Sequence, residues 1–179
     1  YFNFNNRDSL LKALNFYNKA IELKPADLDK RTHSEYVVNR GATYAKLGDM
    51  NNALINMNAA EKIDPSFVNI YLNRSVIYNQ QSNYRAALTD IDKYLSYKPN
   101  FPDMWYEKCR LHNALNEYQK GLEAINQAIA MEQKGIFYFE RAKCYFVAKN
   151  IPQAQNDIKT AESLGYKGDQ TVINKIFNQ

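Results

Sequence analysis

Small and aromatic residues recur along this chain with a period close to 34 residues. The stretch NRGATYAKLGD begins at Asn39, and NRSVIYNQQSN begins at Asn73, 34 residues later. Two series of mostly small residues repeat along the chain, and Tyr and Pro residues recur at the same intervals. Those two series are Ala13, Ala53, Ala87, Gly121, Ala154 and Ala20, Ala60, Tyr94, Ala128, Ala161, each with steps of 40, 34, 34 and 33 residues. A period of this length indicates a repeat protein built from stacked units.

Each unit has the pattern of two amphipathic helices. Between Val37 and Leu47, apolar residues recur every three or four positions, which is typical of one face of a helix. The stretch GDMNNA interrupts this pattern, and Asp49 is predicted to cap a second helix that ends before Pro65. Because a single helix pair cannot bury its own apolar face, the units are expected to stack.

The aromatic residue, the small residue four positions later, the Tyr, the two alanines and the proline of each unit resemble the tetratricopeptide repeat family. This resemblance covers nearly the whole chain and implies an all-α, right-handed solenoid of stacked antiparallel helix pairs, forming one domain over 1–179. The units are predicted as a truncated repeat at 1–25, an inserted turn at 26–33, full repeats at 34–67, 68–101, 102–134 and 135–168, and a capping helix at 169–179. The helix pairs are predicted at 34–47/50–63, 68–81/84–97, 102–115/118–131 and 135–148/151–164.

The two ends of the chain carry separate expectations. The first unit lacks most of its first helix, because Phe4 already occupies the late Tyr position, so the protein is expected to extend upstream of residue 1. At the other end, Val172, Ile173, Ile176 and Phe177 fall on one helical face. That face suits either a cap over the last unit or a helix that binds a partner.

Composition argues against several classes of protein. The 23 basic and 19 acidic residues are mixed along the chain and give a net charge of +4, so no nucleic-acid partner is expected. No apolar run approaches the roughly 20 residues that span a bilayer, so no membrane span is predicted in this segment. The cellular compartment and the identity of any partner stay open.

The residues that usually carry chemistry are few. Cys109 and Cys144 lie inside apolar helical patterns and are predicted to be reduced, buried thiols. His112 occupies a packing position that is Tyr in three other units, and His33 lies in the inserted turn. The sequence has no Gly-rich phosphate loop, no zinc-ligand spacing and no nucleophile motif. We therefore expect no catalytic site, no cofactor and no metal.

Positions are counted from the first residue of each full repeat, so that residues 34, 68, 102 and 135 are position 1. The resemblance implies that function lies in a concave groove lined by positions 2, 5, 6, 9, 12 and 13 of the first helix in each repeat. The candidate peptide-binding residues are Asn39, Leu72, Asn73, Tyr106, Glu107, Arg110, Phe139, Glu140 and Lys143. Positions 5 and 6 are expected to form one continuous strip, with Tyr106 and Phe139 as exposed aromatic anchors. Replacing both rings by alanine is expected to weaken partner binding by about 2 kcal/mol without unfolding the protein.

This resemblance favours a non-enzymatic protein–protein interaction scaffold that binds an extended peptide or a helix. The alternative is a regulatory or targeting segment of a larger enzyme or of a secretion or assembly machine. Asn39 and Asn73 either pair with a partner's backbone, as in the asparagine ladder of some family members, or reflect a common family dipeptide in an Asn-rich chain. The basic residues of position 7, such as Arg40 and Arg74, are expected in the seam between units, with their charges reaching water or helix carboxylates.

The carboxylate clamp that some family members use for heat-shock chaperones is not expected here. That clamp needs Lys and Asn in one unit, Asn in the next, and Lys and Arg in the third. The corresponding residues are Val38 and Ala42, then Asn73, then Asp103 and Glu107. We predict that chaperone C-terminal peptides bind no better than scrambled peptides in calorimetry, because the two acids would repel a carboxylate. Tight binding that depends on the peptide's carboxylate would contradict these position assignments.

Overall fold

The computed structural model describes residues 4–178, and all of its regular elements are α-helices. No strand occurs in that range, which confirms the all-α prediction. The helices are α1 (Phe4–Glu22), α2 (Lys30–Lys46), α3 (Met50–Ile63), α4 (Asn69–Gln80), α5 (Tyr84–Tyr97), α6 (Pro102–Ala114), α7 (Tyr118–Met131), α8 (Gly135–Val147), α9 (Ile151–Ser163) and α10 (Gln170–Phe177). Within 4–178, no helix is long and apolar enough to cross a membrane.

The four predicted helix pairs are present as α2/α3, α4/α5, α6/α7 and α8/α9, and most of their ends agree with the prediction to within one residue. The clear difference is at the start of α2, where residues 30–33 of the expected turn are helical. The Asp29 side chain accepts a hydrogen bond from the Thr32 backbone N–H at 2.9 Å, so the helix is capped there. Asp49 caps α3 in the same way, as predicted, through the Asn52 N–H at 3.0 Å.

The turn within each pair repeats one backbone geometry. A residue in the left-handed region occupies the same position each time, with φ of 88° at Gly48, 58° at Ser82, 59° at Asn116 and 60° at Lys149. The next residue donates its N–H to the carbonyl of the Tyr or His that lies five positions back. This hydrogen bond satisfies a carbonyl at the end of the first helix, as in a Schellman motif.

The first predicted unit differs from the other four. In the register of the repeat Asp8 is the counterpart of Gly48, yet α1 runs without interruption from Phe4 to Glu22. Asp8 lies inside this helix and does not adopt the left-handed conformation of its counterparts. Residues 1–3 of this unit lie outside the described range. The truncated repeat at 1–25 therefore contributes one continuous helix, α1, instead of the end of a first helix followed by a complete second helix.

The contacts divide the chain into two compact units, Tyr1–Tyr97 and Lys98–Gln179. From here on these two parts of the chain are called the first unit and the second unit, and a single helix pair is called a repeat. In the first unit, the apolar core joins α2, α3 and α4 through Val37, Met57, Ile70 and Ile77. In the second unit, one cluster surrounds Ile125 and Phe137, and another joins α8, α9 and α10. Ile173 and Ile176 of α10 belong to that last cluster, so the C-terminal helix packs against α9.

The recurring alanines allow the helices of each pair to approach closely. Ala53, Ala60 and Ala87 are fully buried in the first unit, as are Ala128 and Ala154 in the second. The same closeness is required at Gly41, where a Cβ would lie 2.9 Å from the Asn56 Cβ and 3.1 Å from the Ala53 carbonyl oxygen. Small side chains at these places are therefore a packing requirement.

Arginine side chains join the helices at the seams. Arg74 makes a two-point ion pair with Asp90 of α5, with N–O distances of 2.9 and 2.7 Å. It also donates to Asn58 and Glu61 of α3, at 2.7 and 2.6 Å. The hydrogen bonds to Asp90 raise the pKa of the Arg74 guanidinium further above its already high value. Arg74 thus ties its own helix pair to the preceding pair.

The same arrangement recurs where the sequence allows it. In the second unit, Arg141 pairs with Asp157 at 2.7 and 2.8 Å and donates to Asn126 at 2.9 Å. In the first unit, Arg40 donates to the neutral Asn56 at 2.7 Å. These contacts confirm the expectation that position 7 belongs to the seams. The third full repeat has Lys108 and Ala124 at the corresponding places, so it lacks the Arg–Asp pair.

We predict that Arg74→Ala lowers the free energy of unfolding by about 3–5 kcal/mol, because it leaves the buried Asp90 carboxylate without its partner. Urea unfolding followed by circular dichroism measures this loss. Arg40→Ala is the matched control, since its main partner is a neutral amide, and it should cost only about 1 kcal/mol. Equal losses in the two variants would contradict the importance of the ion pair.

Candidate protein-binding surfaces

A cleft of about 230 Å³ lies in the first unit between α2 and α4, the first helices of two neighbouring repeats. Each residue that lines the cleft occupies position 6, 9, 10, 12 or 13 of its repeat. They are Ala42, Ala45, Lys46, Asn73, Val76, Ile77 and Gln80. Most of these positions belong to the face that the sequence left free of packing.

The chemistry of this cleft is mainly apolar. Ile77 is buried in the core, and the short side chains of Ala42 and Ala45 leave space above it. Val76 is 50 % exposed and presents an aliphatic side chain at the cleft. Lys46 and Gln80 add polar ends to the lining. The cleft therefore has the features needed to accept an aliphatic side chain.

Asn73 contributes an unused hydrogen-bond acceptor to the cleft. Its Nδ2 donates to the Asn69 carbonyl at 2.8 Å, and its Oδ1 has no partner among the described residues. Asn39, the equivalent residue one repeat earlier, is half-buried and does not line this cleft. Leu72 is also half-buried and lies outside the lining. Of the three candidates in this unit, only Asn73 is part of the cleft.

In the second unit, Tyr106 is half-buried, with its ring centroid 5.4 Å from that of Phe137. The guanidinium of Arg110 lies 5.7 Å from the Tyr106 ring, and it also pairs with Glu107 at 3.0 Å. Burial raises the pKa of Tyr106 to about 12, and its hydroxyl, like that of any tyrosine at neutral pH, is protonated and can donate a hydrogen bond. These three side chains form one partly exposed aromatic and polar surface.

The expectation that Phe139 is an exposed anchor is wrong. Its ring is 8 % exposed and its centroid lies 5.5 Å from that of Tyr166. The backbone at Gly168 comes so close that a Cβ there would lie 2.1 Å from the ring. The segment after α9 thus covers Phe139. Val38, which shares its position 5 in an earlier repeat, is also buried, whereas Leu72 and Tyr106 at the same position are half-buried.

Glu140 is likewise buried, and its carboxylate is occupied within the protein. One oxygen accepts from the Asn113 Nδ2 at 2.8 Å, and the other accepts from the Lys143 Nζ at 2.8 Å. Glu107 and Arg110 form a similar pair three residues apart. These two pairs of charges therefore each form within a single helix. A continuous strip from Asn39 through to the second unit remains a prediction.

Two features of the second unit were missed by the sequence reasoning. A second cleft, of about 270 Å³, lies between α6 and α7, and Trp105, Lys108 and Ala124 are among its lining residues. The replacement of the Arg–Asp pair by Lys108 and Ala124 was the available signal. The other feature is the contact between Cys109 and Cys144, whose sulfurs lie 3.8 Å apart. Their spacing of 35 residues gave no indication of it.

A histidine and a glutamate meet where α6 leads into α7. The His112 Nδ1 lies 2.8 Å from the Glu117 carboxylate, with His112 in the last turn of α6 and Glu117 directly before α7. No group of three or more His, Cys, Asp or Glu residues within 4–178 could hold a metal ion.

Comparison with known families decides the nature of the repeat. The sequence model of the tetratricopeptide repeat matches residues 34–67 and, directly after them, residues 68–101. Residues 34–101 therefore match two consecutive tetratricopeptide repeats. The two matched segments have the boundaries predicted for two of the full repeats. Repeats of this family form scaffolds for protein interaction and are generally non-enzymatic. No curated protein sequence matches the chain.

Solved structures with this repeat fold are similar over almost the full length. A crystal structure of MamA covers 92% of this chain and 96% of its own, with 16% identity and a TM-score of 0.79. MamA from Desulfovibrio magneticus RS-1 covers 89% and 88%, with 16% identity and a TM-score of 0.78. BtubC from P. vanneervenii covers 92% and 78%, with 14% identity and a TM-score of 0.81. At these identities the similarity establishes the fold, and it confirms the predicted stack of helix pairs.

We predict that Phe139→Ala lowers the free energy of unfolding by about 3–5 kcal/mol, because it opens a cavity beneath Tyr166 and Gly168. Val76→Ala is the control on an exposed site and should change stability by less than about 0.5 kcal/mol. Urea unfolding of both variants measures the difference. If Phe139→Ala leaves the unfolding midpoint unchanged, the ring is not part of the core.

Proposed function

We propose that this protein is a non-enzymatic scaffold that holds an extended or helical segment of a partner protein against the first helices of its repeats. The observation that supports this most directly is the cleft between α2 and α4, where exposed Val76 and the free acceptor of Asn73 lie together. The tetratricopeptide repeats support the general role of a protein-interaction scaffold.

The size of the cleft suits a side chain better than a cofactor. Pockets for small-molecule ligands usually occupy about 300–1,000 Å³. At about 230 Å³, this cleft can take one or two aliphatic side chains of a partner. Contact with Val76, Ala42 and Ala45 would remove apolar surface from water, at about 25 cal/mol for each Å². An aliphatic anchor is therefore the expected element of the partner.

Asn73 would add backbone recognition to this apolar contact. Its Oδ1 can accept an N–H from the partner's main chain, while its Nδ2 stays bound to the Asn69 carbonyl. One such hydrogen bond contributes only about 0.5–1.5 kcal/mol, so the apolar contact must supply most of the affinity. Recognition would then depend on the shape of the anchor and little on the sequence around it.

The second unit would supply a separate contact surface. Tyr106 offers a partly exposed ring with a phenolic donor, and Arg110 offers an exposed cation beside Glu107. Aromatic and arginine side chains of this kind are common anchors of protein interfaces. Phe139 and Glu140 are buried and are not part of the proposal, whereas Lys143 stays at its edge as the partner of Glu140.

A library of random peptides displayed on phage provides a test that needs no known partner. Peptides selected on the immobilised chain are synthesised and measured by calorimetry against wild type, Val76→Ser and Asn73→Ala. We expect the selected peptides to share an aliphatic residue. We expect Val76→Ser to weaken their binding by about tenfold, which corresponds to about 1.4 kcal/mol. Asn73→Ala should weaken it by a smaller factor.

Ile55→Ser is the matched control, because Ile55 is an aliphatic residue that is 62 % exposed on α3 of the same unit. It should leave the affinity of the selected peptides unchanged. Loss of binding in Ile55→Ser but not in Val76→Ser would place the binding surface on the second helices and reject this proposal. Circular dichroism of each variant verifies that the fold is retained.

A further inference from the structure

Cys109 of α6 and Cys144 of α8 form a buried pair of free thiols in the second unit. Their sulfur atoms lie 3.8 Å apart, which is van der Waals contact, and each residue has an exposure of 0 %. The two residues belong to the first helices of neighbouring repeats, which are in contact. The binding role proposed above makes no use of this pair.

The surroundings of the thiols are polar on one side. The Cys144 Sγ donates to the Asn113 Oδ1 at 3.2 Å, and the Asn113 Nδ2 lies 3.6 Å from the Cys109 Sγ. Asn113 also donates to buried Glu140, which pairs with half-exposed Lys143. The Asn113 amide thus contacts both sulfurs, in addition to the apolar packing that surrounds a buried cysteine. Asn113 holds the two thiols in a defined orientation.

We propose that Cys109 and Cys144 are the two halves of a reversible disulfide that links α6 to α8, formed when a small peroxide oxidises the pair. Closure requires the sulfur–sulfur distance to fall from 3.8 Å to about 2.05 Å, a movement of less than 2 Å between helices already in contact. A small oxidant is required because neither sulfur is accessible to a protein or to a bulky disulfide. This inference is independent of the partner proposed above.

The reaction begins at Cys144. The hydrogen bond between the two sulfurs lowers the pKa of Cys144, against the effect of burial, and the same bond together with burial raises the pKa of Cys109. The first thiolate of the pair therefore forms at Cys144.

The thiolate attacks one peroxide oxygen, the O–O bond breaks, and the leaving hydroxide takes a proton to become water, which leaves a sulfenic acid on Cys144. The Cys109 sulfur then attacks the Cys144 sulfur. The S–S bond forms, the S–O bond breaks, and the hydroxyl leaves with the Cys109 proton as a second water. The two thiols have then given two electrons to the peroxide.

The bond would link residues 35 apart in sequence and on adjacent repeats. It would restrict the unfolded chain and fix α6 against α8 in the folded chain. Oxidation should therefore stabilise the second unit. A dithiol reductant, which exchanges with the disulfide once the unit opens, should reverse the effect.

The test treats the reduced 179-residue chain with hydrogen peroxide and then alkylates it in denaturant. We expect the two alkylatable thiols to fall to none, with a peptide pair joined through Cys109 and Cys144 in the unreduced digest. No disulfide should join two chains, and the thermal midpoint of the oxidised chain should rise by about 5–10 °C and return with dithiothreitol. Both thiols remaining alkylatable, or a disulfide between two chains, would overturn the proposal.

Single variants assign the two roles. In Cys109→Ala, Cys144 should accumulate as a sulfenic acid that dimedone labels, and peroxide should no longer raise the thermal midpoint. In Cys144→Ala, labelling of Cys109 should be much weaker. Stronger labelling of Cys109 than of Cys144 would contradict the assignment of Cys144 as the residue that peroxide oxidises first. The linked peptide is measured on the wild-type chain, so it decides the disulfide even where an alanine variant fails to fold.

Discussion

The close approach of the two helices within each repeat is the constraint on which the other features depend. Buried alanines such as Ala53 and Ala154, and Gly41 against the Asn56 Cβ, let the backbones pack with little between them. A pair held so tightly still leaves apolar side chains uncovered on its flanks, and only another pair can cover them. Arg74 and Arg141 then add directional contacts at those flanks, by donating to Glu61 and Asn126 of the preceding pairs. Arg74 and Arg141 make their contacts at the seams, and the other faces of the first helices, such as the one that lines the cleft between α2 and α4, are available for other contacts.

The helix pairs could be predicted because their signals are local. The apolar spacing between Val37 and Leu47 and the cap at Asp49 lie within a few residues of the elements that they define. The early start of α2 was missed because Asp29 is one of several polar residues in the inserted segment, and only the structure identifies it as the cap. No helix bounds were predicted for the truncated repeat, where Asp8 does not adopt the left-handed conformation of Gly48 and α1 is unbroken.

The candidate surface was predicted less well because exposure depends on residues far away in sequence. Phe139 has the same repeat position as half-buried Leu72 and Tyr106, yet a segment almost 30 residues later covers it. Asn73 lines the cleft between α2 and α4 while Asn39 does not, although an arginine follows each of them in sequence. Repeat position determines which way a side chain faces from its helix. It does not determine what the next segment of the chain places over it.

The two kinds of connection in this protein differ in the length changes that they can tolerate. From the Tyr or His before each left-handed turn to the small residue of the second helix there are always nine residues, as from Tyr44 to Ala53. One added residue there would rotate the second helix by about 100° and turn its buried alanines away from their partner. The connection before α2 differs, because it accommodates extra residues by lengthening a helix. Evolution, or an engineer, can therefore change the spacing between repeats while the interior of each repeat stays fixed.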